Sequence, residues 1–261
     1  MWNVRLRRAV DAAQAWERRT PGLDDVDKHS SLYKDDSPFP DNPVRSAASY
    51  GLIAAIDHLG LAADLSSFPT KRPSSIFTVT RAALLGASQA VWVLSGTRTQ
   101  RRLRALSVAG DERKMHRSYV NGYARDSFIR HFAPEEARQL GDLAEKLTTE
   151  MQSLHELLRG TPYAGDFKST RMMAEAAEHL ASQPDMDDWL RLALGHEWRM
   201  ASAAAHARAW PLHVRETHRE SLSNGSEGSA PGPCFARWGR VPAVFSPWVS
   251  PARRDPTLST G

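Results

Sequence analysis

Between Pro134 and Gly160, the residues Leu140, Leu143, Leu147, Met151, Leu154 and Leu158 recur at steps of three and four. That spacing gathers them on one stripe of an α-helix and would scatter them over both faces of a strand. Glu135 and Glu136 follow the proline, where the positive end of a helix dipole favours acids, and Gly160 supplies a stop. The same period returns along most of the chain, and strand-like alternation of useful length is not found. The pattern dictates an all-α fold, an up-and-down bundle of about six to seven helices.

Trp2, Leu6, Ala9, Ala13 and Trp16 begin the bundle with a helix to about Arg19. Residues 20–43 are dominated by Asp, Ser and Pro and lose the period, so a surface loop is expected there. Asn42 is suited to cap the next helix with Pro43 at its first position. That helix carries Val44, Ala47, Leu52, Ala55, Ile56, Leu59 and Ala62 to about Leu65. A third, carried by Ile76, Val79, Ala83, Leu84, Ala87, Val91 and Leu94, closes at Gly96. These two are expected at the centre of the bundle. Residues 97–132 read as helix loosened by Gly110 and Gly122, either one kinked element or two. After the 134–160 helix a short one starts at Ser169, and the last runs from about Asp185 to Arg208. The bundle domain is thus expected over 1–220. Residues 221–261 hold 11 Gly or Pro and no apolar period, and are expected to be a disordered tail.

Composition excludes several classes. One cysteine, Cys234, permits no intramolecular disulfide and no multi-cysteine zinc site, which suits a reducing, cytoplasmic setting. Asp11 and Glu17 fall where a secretory leader needs an apolar core. The longest apolar run, AALLGASQAVWVL at 82–94, is closed by Arg81 and Arg98 and is shorter than the roughly 20 residues of a membrane span. A buried core helix is expected, and no membrane partner. Half of the +4 net charge falls in residues 221–261, so the body has a mixed surface. Arginine outnumbers lysine 28 to 6, which suits phosphate recognition by guanidinium forks and equally follows from GC-rich coding.

Few residue sets could carry chemistry. Glu112 with His116 and Glu175 with His179 have the i, i+4 spacing of helical metal ligands, but no matching second set faces them, so neither metal nor cofactor is expected. Asp57 and His58 are adjacent and point apart on a helix. Arg125 and His131 are six positions apart and would diverge by roughly 120°. Arg199 and His206 are seven apart, about 700° of rotation, which returns both to one face some ~10 Å apart along the axis. Ser202 shares that side, alanines at 201, 203, 204, 205 and 207 allow close approach, and His196 and His213 extend the stripe. The spacing also suits a core histidine with Arg199 paired to Glu178 or Glu197. Solvent exposure of His206 separates the two.

Two stretches, SIFTVTRAALLGASQAVWVLSGTRTQRRLRAL (75–106) and WRMASAAAH (198–206), resemble a group of bacterial all-helical proteins. The second is similar to the signature of the HEPN superfamily, an Arg and a His separated by four to six residues with a polar residue between. The resemblance implies a helical bundle, often a homodimer, with metal-independent endoribonuclease or toxin-type activity on RNA in its catalytic members. In that setting Arg199 is the phosphate clamp, Ser202 a positioning group and His206 the acid or base. Met200 stands where HEPN nucleases usually have a polar residue. The alternative expectation is a non-catalytic helical module that binds a protein partner.

Overall fold

The computed structural model describes residues 2–19, 26–68, 73–184, 186 and 188–208. Among them are nine α-helices and no strand. In chain order these are α1 (Trp2–Glu17), α2 (Ser31–Asp36), α3 (Val44–Ser67), α4 (Pro73–Leu94), α5 (Arg98–Arg125), α6 (Ser127–Phe132), α7 (Pro134–Leu158), α8 (Ser169–Ala181) and α9 (Asp188–Ala205). The two beyond the expected six or seven are α2 and α6, each six residues long and too short to show an apolar period. The expected tail at 221–261 lies outside the described residues, as do the side chains of Trp2, Leu6 and Ala9. Ala13, from the same stripe, is buried.

The centre is the antiparallel pair α3 and α4, which cross where Gly51 meets Gly86. Gln89 reaches over this contact and donates from Nε2 to the Ala47 carbonyl at 2.9 Å. α8 and α9 pack on the other side of α4, and α1 packs on α3. The main core joins Val44, Ala47, Ala48, Trp92, Val93, Ala105, Val108, Met172 and Ala176 from α3, α4, α5 and α8. By length and composition α4 is apolar enough to cross a membrane. It packs against α3, α5, α8 and α9, and about a third of its apolar stretch is buried.

Gly96, at φ +84°, turns the chain after α4, and Thr97 with Gln100 forms a capping box that starts α5. α5 then runs unbroken through Gly110 and Gly122, where glycine was expected to kink or divide it. The break comes at Asp126, whose carboxylate accepts from the amides of Phe128 and Ile129 and starts α6. α7 returns antiparallel along α5. Leu106 meets Leu154 and Leu158 near one end of this pair, and Val120 meets Ala144 and Leu147 near the other.

Within the expected surface loop, the described part from residue 26 holds α2 and two buried acids. Asp35 is fully buried and accepts from Arg101 Nε at 2.7 Å, with Arg98 Nε 3.0 Å away. Arg102 donates to the carbonyls of Lys34 and Asp35, groups that the end of a short helix leaves unpaired. Asp36 accepts from the Arg45 amide at 3.2 Å, so the start of α3 is served from α2. Pro43 occupies the cap position and has no side-chain bond to give, whereas Asn42 accepts from Arg113 instead. The segment is ordered by arginines of α5 some 66 residues away, which no local pattern reveals.

Candidate functional site

Two surfaces of α9 have opposite characters. Trp198, Met200, Ala201 and Ala203 are buried, and the Arg81 guanidinium of α4 lies 4.8 Å from the Trp198 ring centroid. This cation–π contact and the small residues beside it bring α9 close to α4. The other surface carries Arg199, exposed, with His196 exposed one turn before and Ser202 half-buried one turn after, and exposed His206 follows directly on the last residue of α9. Helical rotation therefore places the predicted trio together on the open side of the bundle. His213 lies outside the described residues.

Among the described residues, neither the Arg199 nor the His206 side chain has a hydrogen-bond or ion-pair partner; the alternative pairing of Arg199 to Glu178 or Glu197 is not formed. His206 is the first residue after α9. Its amide donates to the Ser202 carbonyl, Ala207 donates to Ala204, and Arg208 donates to Ala203 at 2.9 Å. The last two bonds form a Schellman ending with Ala207 at φ 53°, a conformation in which an L side chain is strained. Ala207→Gly is accordingly expected to raise stability by about 1 kcal/mol, or roughly 2–4 °C in Tm. Thermal unfolding of the two proteins checks this, and an unchanged or lower Tm would contradict the strain.

A second polar constellation, which the sequence did not reveal, lies beneath the surface between α4, α5 and α8. Arg104 is buried and spends its guanidinium on five acceptors. Nη1 donates to the Trp92 carbonyl, the Ser95 carbonyl and Ser95 Oγ at 2.8–3.0 Å, Nε to the Tyr163 hydroxyl at 3.1 Å, and Nη2 to Glu175 at 3.3 Å. It thereby caps the carbonyl end of α4, and its charge complements that end of the helix dipole. Trp92 Nε1 donates to Glu175 at 2.7 Å, and Arg171 Nε to its other oxygen at 2.7 Å. Burial pushes the Glu175 carboxyl up, but hydrogen bonds from Trp92 and Arg171 and the charges of Arg171 and Arg104 together outweigh it, holding the group below the usual range. Burial, with the Arg104 charge adding to it, holds the His179 imidazole below its ordinary value. The only local hint was an arginine-rich run after a Trp-Val-Leu segment.

Both oxygens of Glu175 are thus occupied by protein donors, which leaves the Glu175 and His179 spacing a structural coincidence. Glu112 and His116 are exposed on α5, and among the described residues no group of three metal-ligating side chains converges. Arg125 and His131 fall on different helices, on either side of the Asp126 break. The Arg199 and His206 side chains are exposed, with Ser202 half-buried between them, and among the described residues neither Arg199 nor His206 has an internal partner. No family model matches the chain, and no curated protein or solved structure is significantly similar to it.

Proposed function

We propose that the chain is a HEPN-like, metal-independent endoribonuclease that acts as a homodimer through the α9 face. The observation that carries this reading is the exposure of Arg199 on α9 and of His206 directly after its end, with neither tied to an acid among the described residues. A neutral imidazole takes the proton of a ribose 2′-hydroxyl as its oxygen attacks phosphorus. The bond to the 5′-oxygen breaks, and that oxygen is protonated as it leaves. Guanidinium neutralises the charge that builds on the phosphoryl oxygens, and Ser202 can orient one of them. A second copy brings a second Arg–His pair, so one imidazole accepts the proton and the other donates. The products are a 2′,3′-cyclic phosphate and a 5′-hydroxyl.

Incubation of the purified chain with unstructured RNA in excess chelator is expected to yield cyclic phosphate ends. Arg199→Ala and His206→Ala are each expected to slow this about a hundredfold or more, the usual weight of a general acid or base. Either variant cleaving as well as the parent removes the reading. The non-catalytic, partner-binding reading is favoured by one feature: Met200 is buried, so the polar residue that usually follows the arginine in HEPN nucleases is missing from the face. A folded parent that leaves every RNA intact supports that alternative.

A further inference from the structure

The turn from α5 through α6 into α7 carries four exposed rings on a short stretch of chain: Tyr119, Tyr123, Phe128 and Phe132. They are arranged in pairs. Tyr119 and Tyr123 have ring centroids 4.8 Å apart and are tilted by 48°, and Phe128 and Phe132 are 4.4 Å apart and tilted by 42°. Beside Tyr119, Tyr123 and Phe128 lies a shallow depression of about 560 Å³, largely open to solvent. Gly122 lies in its wall, and a Cβ there would meet nothing within 4 Å.

The charges around the rings are unevenly committed. Arg113 is paired with Glu150 and Lys114 with Asp166. Arg117, Arg125 and Arg130 have no ion pair among the described residues. The one acid between residues 113 and 132 is Asp126, and its carboxylate is engaged by the first amides of α6. Glu135, just beyond, is held by Arg138 and Gln139. Exposed rings beside an open depression, with the exposed and unpaired Arg125 and Arg130 on the same α5–α6 turn, match a ligand that offers flat aromatic groups and regularly spaced negative charge. A base stacks on the rings, and its flanking phosphates meet the arginines. A duplex hides its base faces, and a membrane surface would leave the depression unfilled.

We propose that this α5–α6 tip is a binding site for single-stranded nucleic acid, separate from the α9 face and independent of whether that face cuts. Ring stacking does not read the sugar, so DNA and RNA are both bound.

The test is fluorescence anisotropy with labelled dodecamers of thymidylate and uridylate and a duplex of equal length. The uridylate arm uses the Arg199→Ala His206→Ala chain so that the probe stays intact. Both single strands are expected to bind at least about tenfold more tightly than the duplex. Tyr119→Ala with Tyr123→Ala removes only exposed rings, and it is expected to weaken binding about tenfold or more. Arg125→Gln is expected to reduce the slope of log affinity against log salt by roughly 0.7, one phosphate contact on a single strand. Equal affinity for duplex and single strand, or unaltered binding by the tyrosine variant with its Tm unchanged, overturns the site. So does binding to phosphatidylserine vesicles, or self-association relieved by Phe128→Ser, if the oligonucleotides fail to bind. The α9 reading fails on cleavage, this one on binding, and neither result depends on the other.

Discussion

Arg104→Ala is expected to lower the free energy of unfolding by about 3–5 kcal/mol, because several buried acceptors lose their donor at about 1–3 kcal/mol each while Glu175 keeps Trp92 and Arg171. The side chains of Arg104 and Glu175 are 11% and 24% exposed, so solvent screens their interaction only weakly. Alanine removes the donor to two carbonyls at the end of α4 and to the Tyr163 hydroxyl, and empties the space 5.1 Å from the Trp92 ring centroid. Arg104→Lys keeps the charge but cannot address five acceptors from a planar fork, and it is expected to recover less than half of the loss. Denaturant midpoints check both. A loss below about 1 kcal/mol would mean that the network is a surface ion pair in effect. A second readout is local: without the Arg104 charge, the depressed His179 titration moves toward its ordinary value, which NMR follows directly.

The same network sets how stability responds to acid. His179 binds its proton less readily folded than unfolded, so stability is lost as pH falls below the ordinary histidine value of 6.5. Glu175 is held below its ordinary value of 4.5, so its contribution is present above that pH and lost as pH falls through the lower folded value. Asp36 acts in the opposite sense, because burial, its largest influence, raises its carboxyl despite Arg45. Glu175→Gln is expected to flatten the stability loss below pH 4.5 while leaving the histidine step.

The elements that could be read from the chain are those whose signals are local. α7 begins at Pro134 and ends just before Gly160 because the proline, the early acids and the leucine stripe agree. α4 ends before Gly96 for the same kind of reason. The α9 face was legible because rotation about a single helix needs no knowledge of its neighbours. Long-range pairing was not legible. α2 has no stripe of its own and is held by Asp35 to arginines of α5, while Arg104 joins groups from residues 92 to 175. In 97–132 the sequence left one kinked element or two; the helix runs on through Gly110 and Gly122, and the division comes at an aspartate cap that glycine did not mark. Their Cβ positions are open, so those glycines leave the helix intact and relieve no contact.

Gly51 and Gly86 are the opposite case, and the contrast yields the second large effect. A Cβ on Gly86 would lie 2.4 Å from the Gly51 carbonyl oxygen and 2.9 Å from the Ala55 amide nitrogen. One on Gly51 would lie 2.7 Å from the Gly86 carbonyl oxygen. These neighbours are helical backbone and cannot rotate away, so a methyl group forces α3 and α4 apart. Separation also stretches the Gln89 bond to the Ala47 carbonyl and loosens the core around Val44 and Val93. Overpacking of this kind typically costs about 1–3 kcal/mol and sometimes more. Helix propensity returns no more than ~1 kcal/mol when alanine replaces glycine. Since two backbone contacts are violated at once, the upper part of the range applies. Gly86→Ala is expected to lose about 1–2 kcal/mol net, or roughly 2–8 °C in Tm. Gly110→Ala and Gly141→Ala, with nothing within 4 Å of the added Cβ, are expected to gain up to ~1 kcal/mol from propensity alone. The same chemical change thus carries opposite signs in one molecule, and thermal unfolding of the three variants side by side reads them. If Gly86→Ala behaved like the other two, the close crossing of α3 and α4 would be wrong, and with it the placement of α4 that positions Trp198 and the α9 face.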